Sequence, residues 1–461
     1  MERLSGYDAF FLELESSTQP VNVCCLLEVD SGTMPGGYTF DRFADALAVR
    51  IEAVPEFRMK LADSQLNLAY PVWVEEQDFR LDRHLNRVGL PRPGGRAELA
   101  QICGHIAALP LDRAHPLWEM WVIESPNDSG ALAVMLKSHH AALDGVAGAD
   151  LMFQLCSLDV DAPAPAPVDG PGGANRVEIA ASGLVDLLRR PQRLATLIPD
   201  TAMTVVRTVQ RAINGRAMAP PFAAPATVFN APFTCRRNIA FTQVELEDVK
   251  KVKDRFGITV NDVVTAMCSG ALRQFMLDRD ELPEEPLIAT VPMSVRAKSD
   301  RPGRNQTTWM FCRLATDIED PGERLGVVAE SASLAKEHGS AMSPTLLQDW
   351  AEMAGQTTLN AVMRLVRNIP LPERPVHNLV LSNVPGPQEP LFFLGCEINA
   401  LYPFGPIVIG AGLNITVMSL DGKLGIGAIS CPDLVPNVWD LADAFPAVLD
   451  ELLQLEVAAV P

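Results

Sequence analysis

Two adjacent histidines are the residues of this sequence best suited to chemistry. They lie in SHHAALDG (138–145), between an apolar run over 131–136 and a helix-like stretch over 146–158. Imidazole accepts and returns a proton near neutral pH, so His139 or His140 could act as a general base. Neighbouring side chains on an extended backbone point to opposite sides. We therefore expect one histidine to face a substrate and the other to support it.

Metal binding is the weaker interpretation of the same segment. His139, His140 and Asp144 would diverge as ligands of one ion, and no further histidine is close in sequence. Nine cysteines are scattered along the chain without a C-x-x-C pair, which indicates reduced thiols in a cytoplasmic protein. We predict no metal site.

Motifs of several other reaction classes are missing from the sequence. It contains no G-x-S-x-G nucleophile elbow, no G-x-x-x-x-G-K-[ST] phosphate loop and no G-x-G-x-x-G dinucleotide fingerprint. A covalent acyl-serine intermediate, nucleotide hydrolysis and nicotinamide-dependent chemistry are therefore disfavoured.

Length and composition indicate a globular protein of two domains. The 461 residues are 48% hydrophobic and 21% charged, which is enough to bury sizeable cores. A net charge of −19 would repel a polyphosphate backbone, so we expect no nucleic-acid partner. The N-terminus shows no secretion signal, and prolines and glycines interrupt the most apolar window, 401–420. We predict a cytoplasmic location and no membrane-spanning helix.

A stretch rich in proline and glycine, DAPAPAPVDGPGG (161–173), divides the chain. We predict an N-terminal domain over 1–160, a linker with a bridging helical segment over 161–220, and a C-terminal domain over 221–461. Residues 174–218 carry seven arginines against three acidic residues, and Pro191 and Pro199 interrupt their helical pattern. This segment either bridges the two domains, which is the favoured interpretation, or rests on anionic lipid.

Both blocks mix strand and helix patterns, which favours an α/β fold over a helical bundle or a sandwich. Strands are predicted at 21–29, 131–137, 287–291, 379–381, 413–420 and 424–429. Helices are predicted at 40–53, 97–108, 246–256, 262–277 and 439–455. Asp421-Gly422 suits the positive φ angles of a tight hairpin turn between the last two strands.

The residues His139, His140, Asp144 and Gly145 form the pattern H-H-x-x-x-D-G, which resembles the signature of CoA-dependent acyltransferases related to chloramphenicol acetyltransferase and to condensation domains. Further stretches, spread in order over nearly the whole chain, resemble the bacterial wax ester synthase/acyl-CoA:diacylglycerol acyltransferase family. These stretches are Leu4-Ser5, Asp8, Phe11-Leu12, Glu15, Leu111-Asp112-Arg113, Pro116-Leu117-Trp118-Glu119, Asn261-Asp262, Val291-Pro292-Met293-Ser294-Val295-Arg296, Ser382-Asn383-Val384-Pro385-Gly386-Pro387 and Asn414-Ile415.

The resemblance implies a two-domain fold like that of chloramphenicol acetyltransferase, in which each domain is a mixed sheet flanked by helices. It also implies a tunnel between the domains with His140 at its centre. Our hypothesis is that His140 deprotonates an acceptor hydroxyl, which attacks the acyl-CoA thioester directly. Acyl-CoA is then a substrate, and no cofactor is expected.

Diacylglycerol is the favoured acceptor, which would make the product triacylglycerol. A fatty alcohol, giving a wax ester, or another hydroxyl acceptor is the alternative within the enzyme class. A non-catalytic lipid-binding or lipid-droplet protein is the alternative of another class, for which a damaged H-H-x-x-x-D-G motif would be expected. The oily substrates suggest peripheral contact with the inner membrane face or with lipid bodies.

The resemblance also implies roles for residues near His140, with His139 in support. Asp144, beside Gly145, is expected to pair with Arg296 and to hold the loop rather than to take part in the chemistry. Asn261 is a candidate oxyanion donor, and an ordinary helix N-cap is an equally good interpretation. Asp262 is expected to be structural.

Two stretches supply candidate substrate contacts. Pro116, Leu117 and Trp118 are similar to the family's loop near the acceptor, although an apolar tryptophan is more typical of a core. Asn383 is a second polar candidate, within a segment whose prolines indicate a rigid turn.

Basic and histidine side chains elsewhere receive simpler interpretations. Lys250, Lys251 and Lys253 form a basic cluster that could receive the phosphates of CoA, although a solvated helix face is the favoured interpretation. The remaining histidines have no partner motif and are expected at the surface or as satisfied core residues. They are His84, His105, His115, His338 and His377.

The sequence departs from the family pattern at three places. The family's Leu-Pro-Thr is present as Leu314-Ala315-Thr316. Asn22 stands where the family usually has a histidine, so that histidine cannot be essential in this chain. The usual Gly-Asn pair is present as Gly303-Arg304-Asn305. These changes affect loop shape and acceptor choice, and they leave the proposed chemistry of His140 intact.

Overall fold

A computed structural model describes residues 2–63, 69–126, 131–142, 145–170, 172–173, 175–294, 305, 307–341, 346–367 and 372–456. The helices in this part of the chain are α1 Gly6–Leu14, α2 Phe40–Glu52, α3 Arg96–Ala108, α4 Gly145–Gln154, α5 Arg176–Ile213, α6 Leu246–Phe256, α7 Val260–Leu277, α8 Pro321–Ala341, α9 Leu346–Arg367 and α10 Trp439–Gln454.

The strands are β1 Glu2–Arg3, β2 Asn22–Asp30, β3 Met59–Ala62, β4 Val72–Glu75, β5 Leu85–Gly89, β6 Trp118–Glu124, β7 Ala131–His139, β8 Cys156–Ser157, β9 Asn238–Glu245, β10 Ile288–Ser294, β11 Thr307–Arg313, β12 Leu379–Val384, β13 Phe392–Phe393, β14 Cys396–Phe404, β15 Leu413–Leu420 and β16 Lys423–Ser430. The strands and helices predicted from the sequence are confirmed, with ends that differ by a few residues. The helix predicted over 146–158 is wrong at its C-terminal end, because α4 ends at Gln154 and the short strand β8 follows.

The first sheet has the order β5-β6-β7-β2-β14-β13-β8, and only its β5-β6 pair is parallel among the described strands. Neighbouring residues of β2 enter different cores. Leu26 belongs to the core that contains Leu99 of α3, whereas Leu27 belongs to the core that contains Phe43 of α2. Both faces of this sheet are therefore buried, which explains why β7 is an almost unbroken apolar run.

The second sheet has the order β11-β10-β12-β15-β16-β9. Strands β10, β12 and β15 are parallel to one another, and the remaining pairs are antiparallel. The turn between β15 and β16 places Asp421 at φ 44° and Gly422 at φ 74°, as the Asp-Gly pair predicts. Two mixed sheets flanked by helices confirm the α/β architecture.

Strand β14 lies in the C-terminal block of the sequence but pairs with β2 in the first sheet. It crosses β16 of the second sheet so closely that the backbones touch. A Cβ atom on Gly425 would lie 1.8 Å from the Leu401 carbonyl oxygen, and one on Gly427 would lie 2.0 Å from that of Pro403. The crossing needs glycine at both positions, and it joins the two blocks through their sheets.

Helix α5 runs without a break through Pro191 and Pro199, so the predicted interruption of the helical pattern is wrong. Near its start, Ile179 packs with Val72 of β4 in the N-terminal block. Further along, Thr201 accepts a hydrogen bond of 2.9 Å from Trp350 Nε1 of α9. The helix thus contacts both blocks.

Candidate active site

A cavity of about 620 Å³ is lined by residues of both sheets and of helices α1 and α4. Along β10 and β15, and along β12 apart from Asn383, the lining residues alternate, because every second side chain of a strand points to the same face. That face contributes Thr290, Pro292, Ser294, Val380, Ser382, Val384, Asn414, Thr416 and Met418. The N-terminal block contributes a wall that is mostly apolar and aromatic, and His140 lies in it.

His140 follows directly after the end of β7, where the backbone turns. Its amide donates to the Val21 carbonyl at 2.9 Å, and its partly buried ring lines the cavity. The ring stacks on Phe11 of α1, with centroids 4.0 Å apart and planes at 15°. Both the backbone and the ring plane of this histidine are therefore fixed.

His139 points the other way and is completely buried. Its Nδ1 accepts a hydrogen bond of 3.0 Å from the Ala141 amide, so Nε2 carries the proton and faces Glu15 Oε1 at 3.6 Å. Burial lowers the pKa of the His139 imidazole, which keeps it neutral. This arrangement holds the turn that presents His140.

Glu15 is held by a second partner. Arg113 donates to its Oε2 through Nε at 3.1 Å and through Nη2 at 2.6 Å. Burial by itself would raise the pKa of the Glu15 carboxyl, but the neighbouring His139 and Arg113 side chains outweigh burial and lower it to about 2. Glu15 is thus an anion that ties His139 to the loop of Arg113.

Asn305 connects His140 to a buried carboxylate. Its Nδ2 donates to the His140 carbonyl oxygen at 2.8 Å and to Asp8 Oδ1 at 2.7 Å, and its backbone amide also donates to Asp8 Oδ1 at 3.0 Å. Asp8 is only 1% exposed. Asn305, the last residue of the altered Gly303-Arg304-Asn305 stretch, therefore holds the backbone of His140.

Helix α1 organises these contacts, which the sequence reasoning did not identify. Asp8, Phe11 and Glu15 reach Asn305, His140 and His139 respectively. Their spacing of three and four residues places Asp8 and Phe11 on one face of α1 and Glu15, the residue directly after the helix, at the end of that face. That spacing was the available signal, because all three residues stand among the stretches that resemble the family.

Asn383, rather than Asn261, lies on the described cavity wall. Its Nδ2 donates to Asn261 Oδ1 at 3.5 Å, so Asn261 orients Asn383 from behind. The N-cap of α7 is Thr259, not Asn261, and the Asp262 carboxylate accepts from the Thr259 amide at 2.8 Å. Asp262 is therefore part of a capping box with Thr259.

The loop before β6 contributes both to the core and to the cavity. Leu117 and Trp118 line the cavity, whereas Pro116 is buried outside the described lining. Trp118 is 5% exposed and donates from Nε1 to the Phe57 carbonyl at 2.7 Å. Asn22, at the position of the missing family histidine, donates to the Leu109 carbonyl at 2.9 Å and holds the end of α3.

The lysine cluster lies on α6, away from the described cavity wall. Lys251 pairs with Asp248 at 2.8 Å and Lys253 pairs with Asp254 at 2.8 Å, while Lys250 is exposed. This arrangement is that of a solvated helix face.

Two of the predicted structural residues, Asp144 and Arg296, lie outside the described residues, and their pairing stays a prediction. Gly145 begins α4. Among the described residues, no group of three or more histidine, cysteine or acidic side chains could hold a metal ion. None of the helices in the described ranges is long and apolar enough to cross a bilayer.

The fold is that of two-domain acyltransferases and condensation domains. The first condensation domain of the calcium-dependent antibiotic synthetase superimposes with a TM-score of 0.60 at 14% identity, over 98% of this chain and 95% of that one. A solved wax ester synthase/diacylglycerol acyltransferase from Marinobacter aquaeolei VT8 superimposes with a TM-score of 0.71 at 28% identity, over 98% of both chains.

The domain models of one family match most of the sequence. The wax ester synthase/diacylglycerol acyltransferase catalytic domain matches residues 4–264, and the WS/DGAT C-terminal domain matches residues 304–453. A Mycobacterium tuberculosis protein that carries diacylglycerol O-acyltransferase in its name is 59% identical over 98% of this chain and 90% of its own length. The chain belongs to the wax ester synthase/diacylglycerol acyltransferase family and is an acyltransferase.

Proposed function

We propose that this protein transfers a long-chain acyl group from acyl-CoA to the hydroxyl of diacylglycerol, with His140 as the general base. The observation that supports this most directly is the position of His140, whose fixed ring lines a mostly apolar cavity of about 620 Å³. Cavities of this size and composition hold apolar ligands with a few polar groups placed for orientation. The M. tuberculosis relative carries diacylglycerol O-acyltransferase in its name.

The reaction needs one proton to be moved twice. The imidazole of His140 takes the proton from the acceptor hydroxyl while the oxygen attacks the thioester carbonyl, forming the new C–O bond. When the tetrahedral intermediate collapses, the C–S bond breaks, and the imidazolium returns the proton to the sulfur of CoA. The face of Phe11 stabilises the transient imidazolium through its ring quadrupole.

The tetrahedral oxyanion needs a donor within the cavity, and Asn383 is the side chain we assign to it. Asn383 is one of the lining residues, and its side-chain amide donates to Asn261 Oδ1 at 3.5 Å. A preoriented amide of this kind is worth roughly 10²–10³ in rate in other acyl-transfer enzymes.

Thiol release from palmitoyl-CoA, with diacylglycerol and hexadecanol supplied separately, tests this function. We expect acceptor-dependent release and triacylglycerol as the main product. Wax ester as the main product would favour the fatty-alcohol alternative, which the name of the Marinobacter protein also includes. If neither diacylglycerol nor hexadecanol causes thiol release, the remaining possibilities are another hydroxyl acceptor and a lipid-binding role. A stoichiometric acyl group on the denatured protein would contradict direct transfer.

Helix α5 supports a peripheral place on an anionic membrane or lipid body. Leu188 is 70% exposed and Ile213 is 79% exposed, and further apolar side chains of α5 are also exposed. Seven arginines against three acidic residues over 174–218 set this segment apart from the acidic remainder of the chain. We expect flotation with phosphatidylglycerol vesicles at low salt. Loss of flotation in the variant Leu188→Glu, but not in the α6 variant Lys250→Glu, would identify α5 as the contact.

A further inference from the structure

A row of paired residues on β10 and β11 leads from the catalytic cavity to a second cavity at the surface. Directly opposed residues of antiparallel strands project to the same face. The pairs, in order, are Ser294 with Thr307, Pro292 with Trp309, Thr290 with Phe311, and Ile288 with Arg313. At one end, Ser294 and Thr307 line the catalytic cavity; at the other, Ile288 and Arg313 line a cavity of about 270 Å³.

The surface cavity has the chemistry of a nucleotide phosphate site. Arg313 is exposed, and Arg374 pairs with Glu285 and donates to the Ala223 carbonyl at 2.9 Å, so the lining carries one net positive charge. Phe222, also in the lining, is 56% exposed. Guanidinium groups match phosphate oxygens, and an exposed aromatic ring can stack on a purine. In a chain of net charge −19, this is a suitable place for an anion.

Two polar side chains lie where the row enters the catalytic cavity. Thr290 is 4% exposed, and its Oγ1 has no hydrogen-bond partner in the described part of the chain. Neither ring nitrogen of His377 has one either, and the ring stacks on Phe311 at a centroid distance of 6.1 Å. Both residues line the cavity. The His377 side chain is half-buried, and its ring donor and acceptor, which have no hydrogen-bond partner in the described part of the chain, suit a ligand that carries amide groups.

We propose that acyl-CoA binds along this row, with its phosphates and adenine in the surface cavity, its pantetheine arm passing Thr290 and His377, and its thioester at His140. This placement rests on the proposed function, which names acyl-CoA as the donor. It assigns the phosphates to Arg313 and Arg374 instead of the α6 lysines. Helix α6 packs against β9, which lies at the opposite edge of the second sheet from β11.

The dimensions agree with this placement. Six residues separate Arg313 from Thr307 on β11, a rise of roughly 20 Å. The arm between the sulfur and the first phosphorus of CoA has about 13 bonds, or roughly 15 Å at the reach of an extended chain. The long side chain of Arg313 covers the difference. Asn305, two residues before Thr307, donates to the His140 carbonyl, so the row ends beside the general base.

The test compares two donors that differ only in the nucleotide. Palmitoyl-CoA carries the phosphates, and palmitoyl-pantetheine lacks them. In the variant Arg313→Gln/Arg374→Gln, we expect the KM for palmitoyl-CoA to rise by about tenfold or more, with kcat little changed. The KM for palmitoyl-pantetheine should stay the same. Thr290→Val should raise the KM of both donors, because both contain the amides of the arm.

Arg236→Gln is the matched control, because Arg236 also forms an exposed ion pair, with Asp433 at 3.3 Å, but lies away from both cavities. Should the double variant unfold, the single variant Arg313→Gln answers the same question from an exposed position. Equal effects on both donors, or a palmitoyl-CoA effect only in Lys250→Gln/Lys251→Gln/Lys253→Gln, would overturn the placement. If the native protein releases no thiol from palmitoyl-CoA, the proposed function itself fails.

Discussion

The imidazole of His140 lies flat on the ring of Phe11, with centroids 4.0 Å apart and planes at 15°. This contact joins the N-terminal helix to the turn after β7, two elements separated by most of the N-terminal block. It fixes the plane in which the imidazole nitrogens lie and leaves the ring on the cavity wall. A general base has to be held in this way if it is to meet a hydroxyl within hydrogen-bond distance.

Replacing His140 with glutamine should remove turnover while the protein stays folded. Glutamine keeps a polar side chain of similar size but cannot take a proton, so we expect kcat to fall by roughly 10²–10⁴. Thiol release measures the rate, and thermal unfolding checks the fold. His105→Gln, at an exposed position on α3, is the control. An active His140→Gln protein would exclude the general-base role.

Replacing Asn305 with alanine should lower both activity and stability. The change removes the hydrogen bond to the His140 carbonyl and one of the donors to the buried Asp8 carboxylate. The His140 carbonyl loses this donor, whereas Asp8 Oδ1 keeps the backbone amide of residue 305, and a buried acceptor that loses its donor costs about 1–3 kcal/mol. Urea denaturation and kcat should therefore both change, and the variant Asp8→Asn/Asn305→Ala should recover part of the stability. Asn437→Ala, at an exposed site, should change neither measurement.

Replacing Asn383 with alanine should cost more in kcat than replacing Asn261. Of these two asparagines, only Asn383 lies on the described cavity wall. Its loss removes the assigned oxyanion donor, worth roughly 10²–10³ in rate. Asn261→Ala should leave the donor in place but less well oriented, which gives a smaller loss. Steady-state kinetics with palmitoyl-CoA decide between them. The reverse order of effects would return the oxyanion role to Asn261.

The stability of the protein should fall with decreasing pH in part because of His377. Burial lowers the pKa of its imidazole from 6.5 to about 4. Between these values the unfolded chain binds a proton that the folded chain does not, so the stabilisation present above pH 6.5 is lost as the pH falls towards 4. His377→Phe should flatten the slope of the unfolding free energy by about 1.4 kcal/mol per pH unit in this window. Urea denaturation at about pH 7 and about pH 5 measures this slope, and the control His105→Gln should show the slope of the native protein.

Replacing Gly427 with alanine should destabilise the crossing of β14 over β16. The new Cβ would lie 2.0 Å from the Pro403 carbonyl oxygen, so the two strands would have to separate. Overpacking of this kind costs about 1–3 kcal/mol or more. Gly326→Ala is the matched control, because it lies inside α8 with no atom within 4 Å of the new Cβ. It should stabilise the protein by about 0.5–1 kcal/mol. Equal effects of the two changes would contradict the contact.

Local sequence patterns predicted the elements whose signals are complete within one segment. The hairpin of β15 and β16 has alternation, length and an Asp-Gly turn in a single stretch, and α6 combines an apolar stripe with a glycine at its end. The unbroken helix α5 was not predicted. Proline destabilises the interior of an isolated helix, and the local sequence shows only this effect. Contacts with β4, α8 and α9 override it here.

The pairing of β14 with β2 could not be predicted in the same way. Its partners are separated by more than half of the chain, and hydrogen bonding between strands leaves no local pattern. The same holds for Asn305 and Asp8, and for Asn383 and Asn261, whose contacts join distant segments. The face of α1 was within reach, since Asp8, Phe11 and Glu15 follow helical spacing.

By itself, the sequence determined the α/β class, the family resemblance, and the divergence of His139 and His140, because strand alternation separates neighbours without help from the rest of the chain. The tertiary structure decided which contacts hold each histidine. Glu15, itself bound by Arg113, faces His139, and Phe11 and Asn305 contact His140. The tertiary structure also decided that a surface cavity lined by Arg313 and Arg374 lies at the opposite end of the β10–β11 pair from the cavity of His140. The reason is physical, since a site made of side chains from four distant segments exists only after the two sheets have packed together.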